Sequence, residues 1–188
     1  MSKQQKTIGI FALQGAFVEH QRMMEKLGAE VFLIRSLSDV KDKKIDGVVL
    51  PGGESTTMTK LLKKTGLDKW LKGQGESGLP IFGTCAGMII LSQMGLVDAD
   101  VDRNAYGSQL DSFETELTLE SGLLRSPDSR YDGVFIRAPK VKKIGSNVKV
   151  LAKYGKTPVL IQQGKIMTGS FHPELTQDSR IHEYFLEI

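Results

Sequence analysis

At 188 residues the chain is long enough for one domain with a sizeable core and short for two, and its 40% hydrophobic and 25% charged residues are ordinary for a globular protein in water. A formal charge of +3, with lysines and acids interspersed, argues against nucleic acid as a partner, and the densest basic run, Lys140-Val141-Lys142-Lys143, lacks aromatics and reads as a solvated face. No apolar run approaches the ~20 residues that span a bilayer, the polar start is unlike a secretory leader, and the single cysteine forbids an internal disulfide, so a reducing, cytoplasmic setting is expected.

In chain order, residues 7–13 (TIGIFAL) read as a buried strand, 18–27 as a helix ending at Gly28, and 30–34 (EVFLI) as a second strand. A third strand, 47–50 (GVVL), is stopped by Pro51-Gly52-Gly53. Helices follow at 56–64 and 67–71, then a strand at 79–82 (LPIF) and a helix at 87–94. Near-continuous apolar strands alternating with helices predict a parallel sheet covered on both faces. Residues 113–119 (FETELTL) instead alternate apolar and polar, as an antiparallel strand with one wet face does, and 134–137, 148–154, 158–163 and 165–169 continue in that style. Gln163-Gly164 marks a hairpin turn, and 179–186 a closing helix. The stretches 98–111 and 121–132 are the most irregular. The expected architecture is one α/β domain over residues 1–188: three layers, with a mixed, mostly parallel sheet flanked by helices.

The most informative segment is 79–90, a strand, then Gly83-Thr84-Cys85-Ala86-Gly87, then a helix. G-x-C-x-G between strand and helix is the cysteine counterpart of the nucleophile elbow, a sharp turn that raises its central residue at the sheet edge. The helix beginning near Gly87 would aim its positive end at the sulfur and favour thiolate. The Ala86 N–H could donate to an oxyanion. A lone buried cysteine with a structural role is the plainer alternative, and the two glycines weigh against it. A thiol nucleophile needs a base. His172, in Ser170-Phe171-His172-Pro173-Glu174 directly after a strand, is the candidate, with Glu174 able to return its carboxylate to the imidazole. His182, on an amphipathic helix, reads as a surface residue; His20 could be structural or functional. Gly52 and Gly53 would let backbone amides approach a substrate closely. There is no Walker lysine and no G-x-G-x-x-G, which argues against a nucleotide site, and the histidines and cysteine lack metal-ligand spacing.

Together these motifs resemble the class I (triad) glutamine amidotransferases, whose fold is flavodoxin-like. Within that group the resemblance is to the glutaminase subunits of pyridoxal phosphate (vitamin B6) synthase. It runs nearly end to end: LQGA at 13–16 with Glu19 and His20, LPGGESTT at 50–57, GTCAGM at 83–88, RNAYG at 103–107, DSFE at 111–114, VFIR at 134–137 and SFHPE at 170–174. Ile89 stands where other triad amidotransferases usually carry glutamine, and Ser108 where the vitamin B6 branch often has a basic residue. The resemblance implies that Cys85 attacks the side-chain amide of L-glutamine, His172 relays protons and Glu174 stabilises the imidazolium. The amides of Gly53 and Ala86 would form the oxyanion hole, while Gly53, Glu54, Ser55, Arg103, Ile136 and Arg137 would bind glutamine. Gln14, Gly15, Glu19 and His20 would face the partner, a (β/α)8-barrel synthase subunit in a hetero-oligomer. That subunit would activate the glutaminase on docking and combine the ammonia with a pentose phosphate and a triose phosphate. No cofactor and no metal are implied. A Cys-His hydrolase of the protease or chaperone type, and a non-catalytic scaffold, are the competing classes.

Overall fold

Strand β1 (Thr7–Phe11) and strand β2 (Glu30–Ile34) flank helix α1 (Phe17–Lys26), and strand β3 (Gly47–Leu50) is followed by helices α2 (Ser55–Thr65) and α3 (Leu67–Glu76). Strand β4 (Ile81–Thr84) leads into helix α4 (Ala86–Gln93), after which come β5 (Ala99–Asp102), β6 (Ser112–Leu119), β7 (Arg130–Ile136) and β8 (Lys140–Ile144). Strands β9 (Lys149–Tyr154), β10 (Thr157–Gln163) and β11 (Ile166–Gly169) precede helix α5 (Arg180–Phe185). The structure, a computed structural model, describes residues 5–103, 112–120 and 128–188. Part of the RNAYG segment, with Ser108 and Asp111, and most of the irregular stretch at 121–132 lie outside the described residues.

Among the described residues nine strands form one sheet in the order β2-β1-β3-β4-β11-β10-β9-β6-β7. Its first five strands pair parallel, and the remaining pairings are antiparallel. Of these nine, β10 and β6 run against the common direction, so the sheet is mixed and mostly parallel in strand direction. The period-2 geometry of a strand splits the core into two layers. Phe11, Val48, Leu50 and Ile81 pack with Met58, Leu62, Leu71 and Leu91 of α2, α3 and α4. Ile8, Ile10, Val49, Phe82 and Met167 pack on the opposite face with Met24 of α1 and Ile181 and Phe185 of α5. This is the expected three-layer α/β domain.

Two short charged segments depart from expectation. The run 140–143, read as a solvated face, lies in β8, and 99–102, inside a stretch read as irregular, form its antiparallel partner β5. Val141 is buried in the core, while Lys142 reaches Asp102 on the neighbouring strand at 2.8 Å. The lysines are solvated, but on a strand. Helix α3 likewise runs past 71 to Glu76. Among the described residues no helix is long and apolar enough to cross a membrane.

Candidate active site

The carboxyl ends of β1, β3, β4 and β11 lie side by side, the edge at which open α/β sheets collect their ligands. β4 delivers Cys85 and its neighbour β11 delivers the segment 170–174, with Thr84 in register with Gly169. The Cys85 N–H donates to Gly169 O at 2.8 Å, which ties the elbow to that segment. Cys85 itself has φ 48° and ψ −103°, a conformation that costs a non-glycine residue on the order of 1–3 kcal/mol and is kept where the surroundings enforce it. Gly87 lets the turn close: a β-carbon there would lie 2.2 Å from Leu50 O.

His172 is held from two sides. Its N–H donates to Val134 O of β7 at 2.8 Å, and its Nδ1–H to Glu174 Oε1 at 2.7 Å. In a flat sheet β7 would stand about 19 Å from β11, four strand spacings away. The antiparallel half instead curls over the site and brings Ile136 O to 3.8 Å from Cys85 Sγ. On the other flank Gly52 fills the space beside the pair, since a β-carbon there would come within 2.4 Å of His172 Cε1 and 3.2 Å of Cys85 Cβ.

The electrostatics follow from burial and partners. Glu174 is buried, which opposes its charge, but His20 and His172 outweigh this and hold its carboxyl below the ordinary range. Burial likewise opposes a proton on His172, yet the Cys85 thiol and the Glu174 carboxylate raise it to about 10. An imidazolium beside a thiol favours the nucleophilic thiolate. A group whose folded pKa lies above its unfolded value contributes stability below the unfolded pKa and loses it as the pH rises through the folded one. The stability advantage of the native chain over His172→Asn should therefore be fullest below pH 6.5 and shrink up to about pH 10, as measured by denaturant unfolding across that range.

An open cleft of about 440 Å³ is lined by Gln14, Gly53, Glu54, Ser55, Thr56, Cys85, Ala86, Ile89, Arg103, Ile136, Arg137 and His172. It thus brings together every residue expected to bind glutamine or an oxyanion. Arg103 donates to Ser55 Oγ at 2.5 Å, and Gln14 Oε1 accepts the Glu54 N–H at 2.8 Å. Glu54 also caps α2, its oxygens accepting the Thr56 and Thr57 N–H groups at 2.9 and 2.7 Å. The Thr57 hydroxyl and these amides lower its pKa to about 2. Gly15 and Glu19 lie outside the cleft lining, although Ala16 N–H bonds Gly52 O at 3.1 Å and joins this segment to the site.

Two histidines are placed differently from expectation. His182, read as a surface residue, is fully buried because α5 turns that face onto Phe82 and His20. His20, expected at a partner interface, is also fully buried within this chain, and its ring reaches Glu174 and Thr84. Its position three residues into a helix gave no sign of this. Among the described residues no His, Cys, Asp and Glu cluster could hold a metal ion.

A strained cysteine between strand and helix, beside a histidine bonded to a buried carboxylate and open to a polar cleft, can attack an amide carbonyl through sulfur. The same fold occurs in glutamine amidotransferases. A solved structure described as a glutamine amidotransferase superposes with a TM-score of 0.87 at 41% identity, covering 96% of this chain and 97% of the other. PurLQS from Thermotoga maritima shares the fold at a TM-score of 0.72 and 17% identity, covering 98% and 99%. The pyridoxal 5'-phosphate synthase subunit PdxT of Thermosipho africanus is 46% identical, covering 96% of this chain and 97% of its own. The PdxT subunit of Thermus thermophilus is 44% identical, covering 96% of each. The model of the SNO glutamine amidotransferase family matches residues 10–188. The chain belongs to the SNO glutamine amidotransferase family.

Proposed function

We propose that residues 1–188 act as one amidotransferase domain that hydrolyses L-glutamine to glutamate and ammonia and passes the ammonia to a pyridoxal phosphate synthase subunit. The observation that carries this reading is the Cys85 elbow opening on the same cleft as His172, whose Nδ1 is 2.7 Å from the buried Glu174 carboxylate. Cys85 Sγ attacks the side-chain carbonyl carbon of glutamine, forming a C–S bond, and the N–H groups of Gly53 and Ala86 hold the oxyanion. As the tetrahedral adduct collapses, the C–N bond breaks and His172 gives its proton to the departing ammonia. Water then attacks the thioester, His172 accepts a proton from it, and glutamate leaves as the sulfur is restored. Glu174 stays ionised throughout and offsets the charge on His172. Arg103 and Arg137 suit the α-carboxylate of glutamine, and an acid such as Glu54 its ammonium.

The relatives' name, pyridoxal 5'-phosphate synthase subunit PdxT, supports assembly with another synthase subunit; the partner proposed for it is a (β/α)8 barrel and the proposed setting is the cytoplasm. Gln14, Gly15 and Glu19, at the carboxyl edge of the sheet, are the contacts proposed for it. Ammonia release from glutamine, measured with the synthase present, tests the reading. His172→Asn should lose at least ~10²-fold in kcat, the scale of a proton-transfer group. Turnover of peptides or glyoxals without turnover of glutamine would overturn the assignment, and a loss within about twofold in the variant would assign the proton transfer elsewhere.

A further inference from the structure

Two buried histidines stand behind the site without lining the cleft. His20 on α1 and His182 on α5 are each 0% exposed, and His20 Nδ1 lies 3.0 Å from His182 Nε2. His20 Nε2 lies 3.0 Å from Thr84 Oγ1 and 3.3 Å from Glu174 Oε2. Thr84 Oγ1 also accepts the Gly52 N–H at 3.0 Å. One ring therefore touches the carboxylate that holds His172 and the residue before Cys85. Through Thr84 it also reaches the glycine turn beside them.

Proton positions follow by elimination. Burial lowers the pKa of His20 against the pull of Glu174, and lowers that of His182 well below the ordinary value, so each ring carries a single N–H. His182 Nδ1 has no hydrogen-bond partner among the described residues. A buried N–H without an acceptor costs more than a bare lone pair, so His182 keeps its proton on Nε2 and donates it to His20 Nδ1. The proton of His20 then sits on Nε2 and is donated to Thr84 Oγ1, with Glu174 Oε2 beside it at 3.3 Å. Glu174 Oε2 has no hydrogen-bond partner among the described residues, and the His20 ring nitrogen at 3.3 Å is the polar group facing it. The reverse tautomers would bury an orphaned His182 N–H and set a lone pair of His20 against a carboxylate.

We propose that His20, oriented by His182, is a positioning residue: its Nε2–H fixes the Glu174 carboxylate and the Thr84 hydroxyl, and so sets His172 and the Gly52 turn for reaction. The proposal rests on the triad proposed above. Three substitutions separate this role from simple filling of space. Glutamine places its amide N–H near the position of an imidazole Nε2, asparagine places it near Nδ1, and phenylalanine keeps the ring without a donor. With the synthase present, His20→Phe and His20→Asn should each lose about 10-fold or more in kcat, the low end for outer partners of a reacting group, with KM within about twofold. His20→Gln should stay within about threefold of the native enzyme. A purely steric role predicts the opposite order, with phenylalanine best, and that order overturns the proposal. A second arm needs no variant: nitrogen-15 NMR of the imidazoles in the native chain at neutral pH. His20 and His182 should each show one proton, on Nε2, and any other protonation state of His20 overturns the proposal. Failure of the native enzyme to release ammonia would sink the glutaminase reading, whereas a wrong tautomer or variant order would sink only the role of His20.

Discussion

Replacing Cys85 by alanine should abolish ammonia release while leaving the fold and docking to the synthase intact. Cys85 is the only cysteine in the chain, so no second thiol can take over. Removing an activated nucleophile costs at least ~10⁴-fold, because binding and oxyanion contacts alone leave only a small residual rate. Cys85 is 6% exposed and its main-chain N–H donates to Gly169 O, so an alanine of similar shape keeps the elbow's backbone bond. Assay of ammonia release together with sedimentation of the mixed subunits checks both halves. Turnover surviving in this variant would remove sulfur from the mechanism; a lost complex would show that the side chain also serves docking.

Substituting Gly87 by alanine should have the largest effect on structure. Its β-carbon would meet Leu50 O at 2.2 Å, and both contacting groups are main chain, so no side chain can swing aside. Forcing extra volume into a packed interior costs about 1–3 kcal/mol, occasionally more, and rigid neighbours put this case at the upper end. For a domain of this size that corresponds to a fall in Tm of roughly 5–10 °C. If α4 moves off β3 to relieve the contact, it carries the Ala86 N–H with it, and misplacement by about 1 Å costs ~10²-fold in rate. Thermal melting and kcat should therefore fall together. An unchanged Tm would mean that α4 and β3 are not locked at this point.

Much of this was legible in the residues because the parallel strands are short apolar runs stopped by glycine or proline. GVVL before Pro51 and EVFLI bound β3 and β2 with no change at either end. The elbow could be read because its geometry demands small residues at fixed spacing around Cys85. Charge hid β5 and β8: strands with one wet face and few apolar residues, of which Val141 is buried, look like loops until their pairing is known. His182 was hidden by a different cause. The helical pattern of α5 shows that one face is apolar, but a histidine on that face is revealed only by the ring of His20 from 162 residues away. Glu54 shows the reverse case, a residue expected at the substrate whose carboxylate also caps a helix.

The placement of β11 has a consequence for synthesis of the chain. This strand comes after the others in sequence yet sits in the middle of the sheet, between β4 and β10. While a ribosome is still making residues 166–174, β4 has an open edge, and Cys85 lacks both Gly169 and His172. Until residues 166–174 are made, a nascent chain thus carries its thiol without the histidine that stands beside it. The open edge of β4 is apolar, at Ile81 and Phe82, and is the segment most in need of protection during that interval.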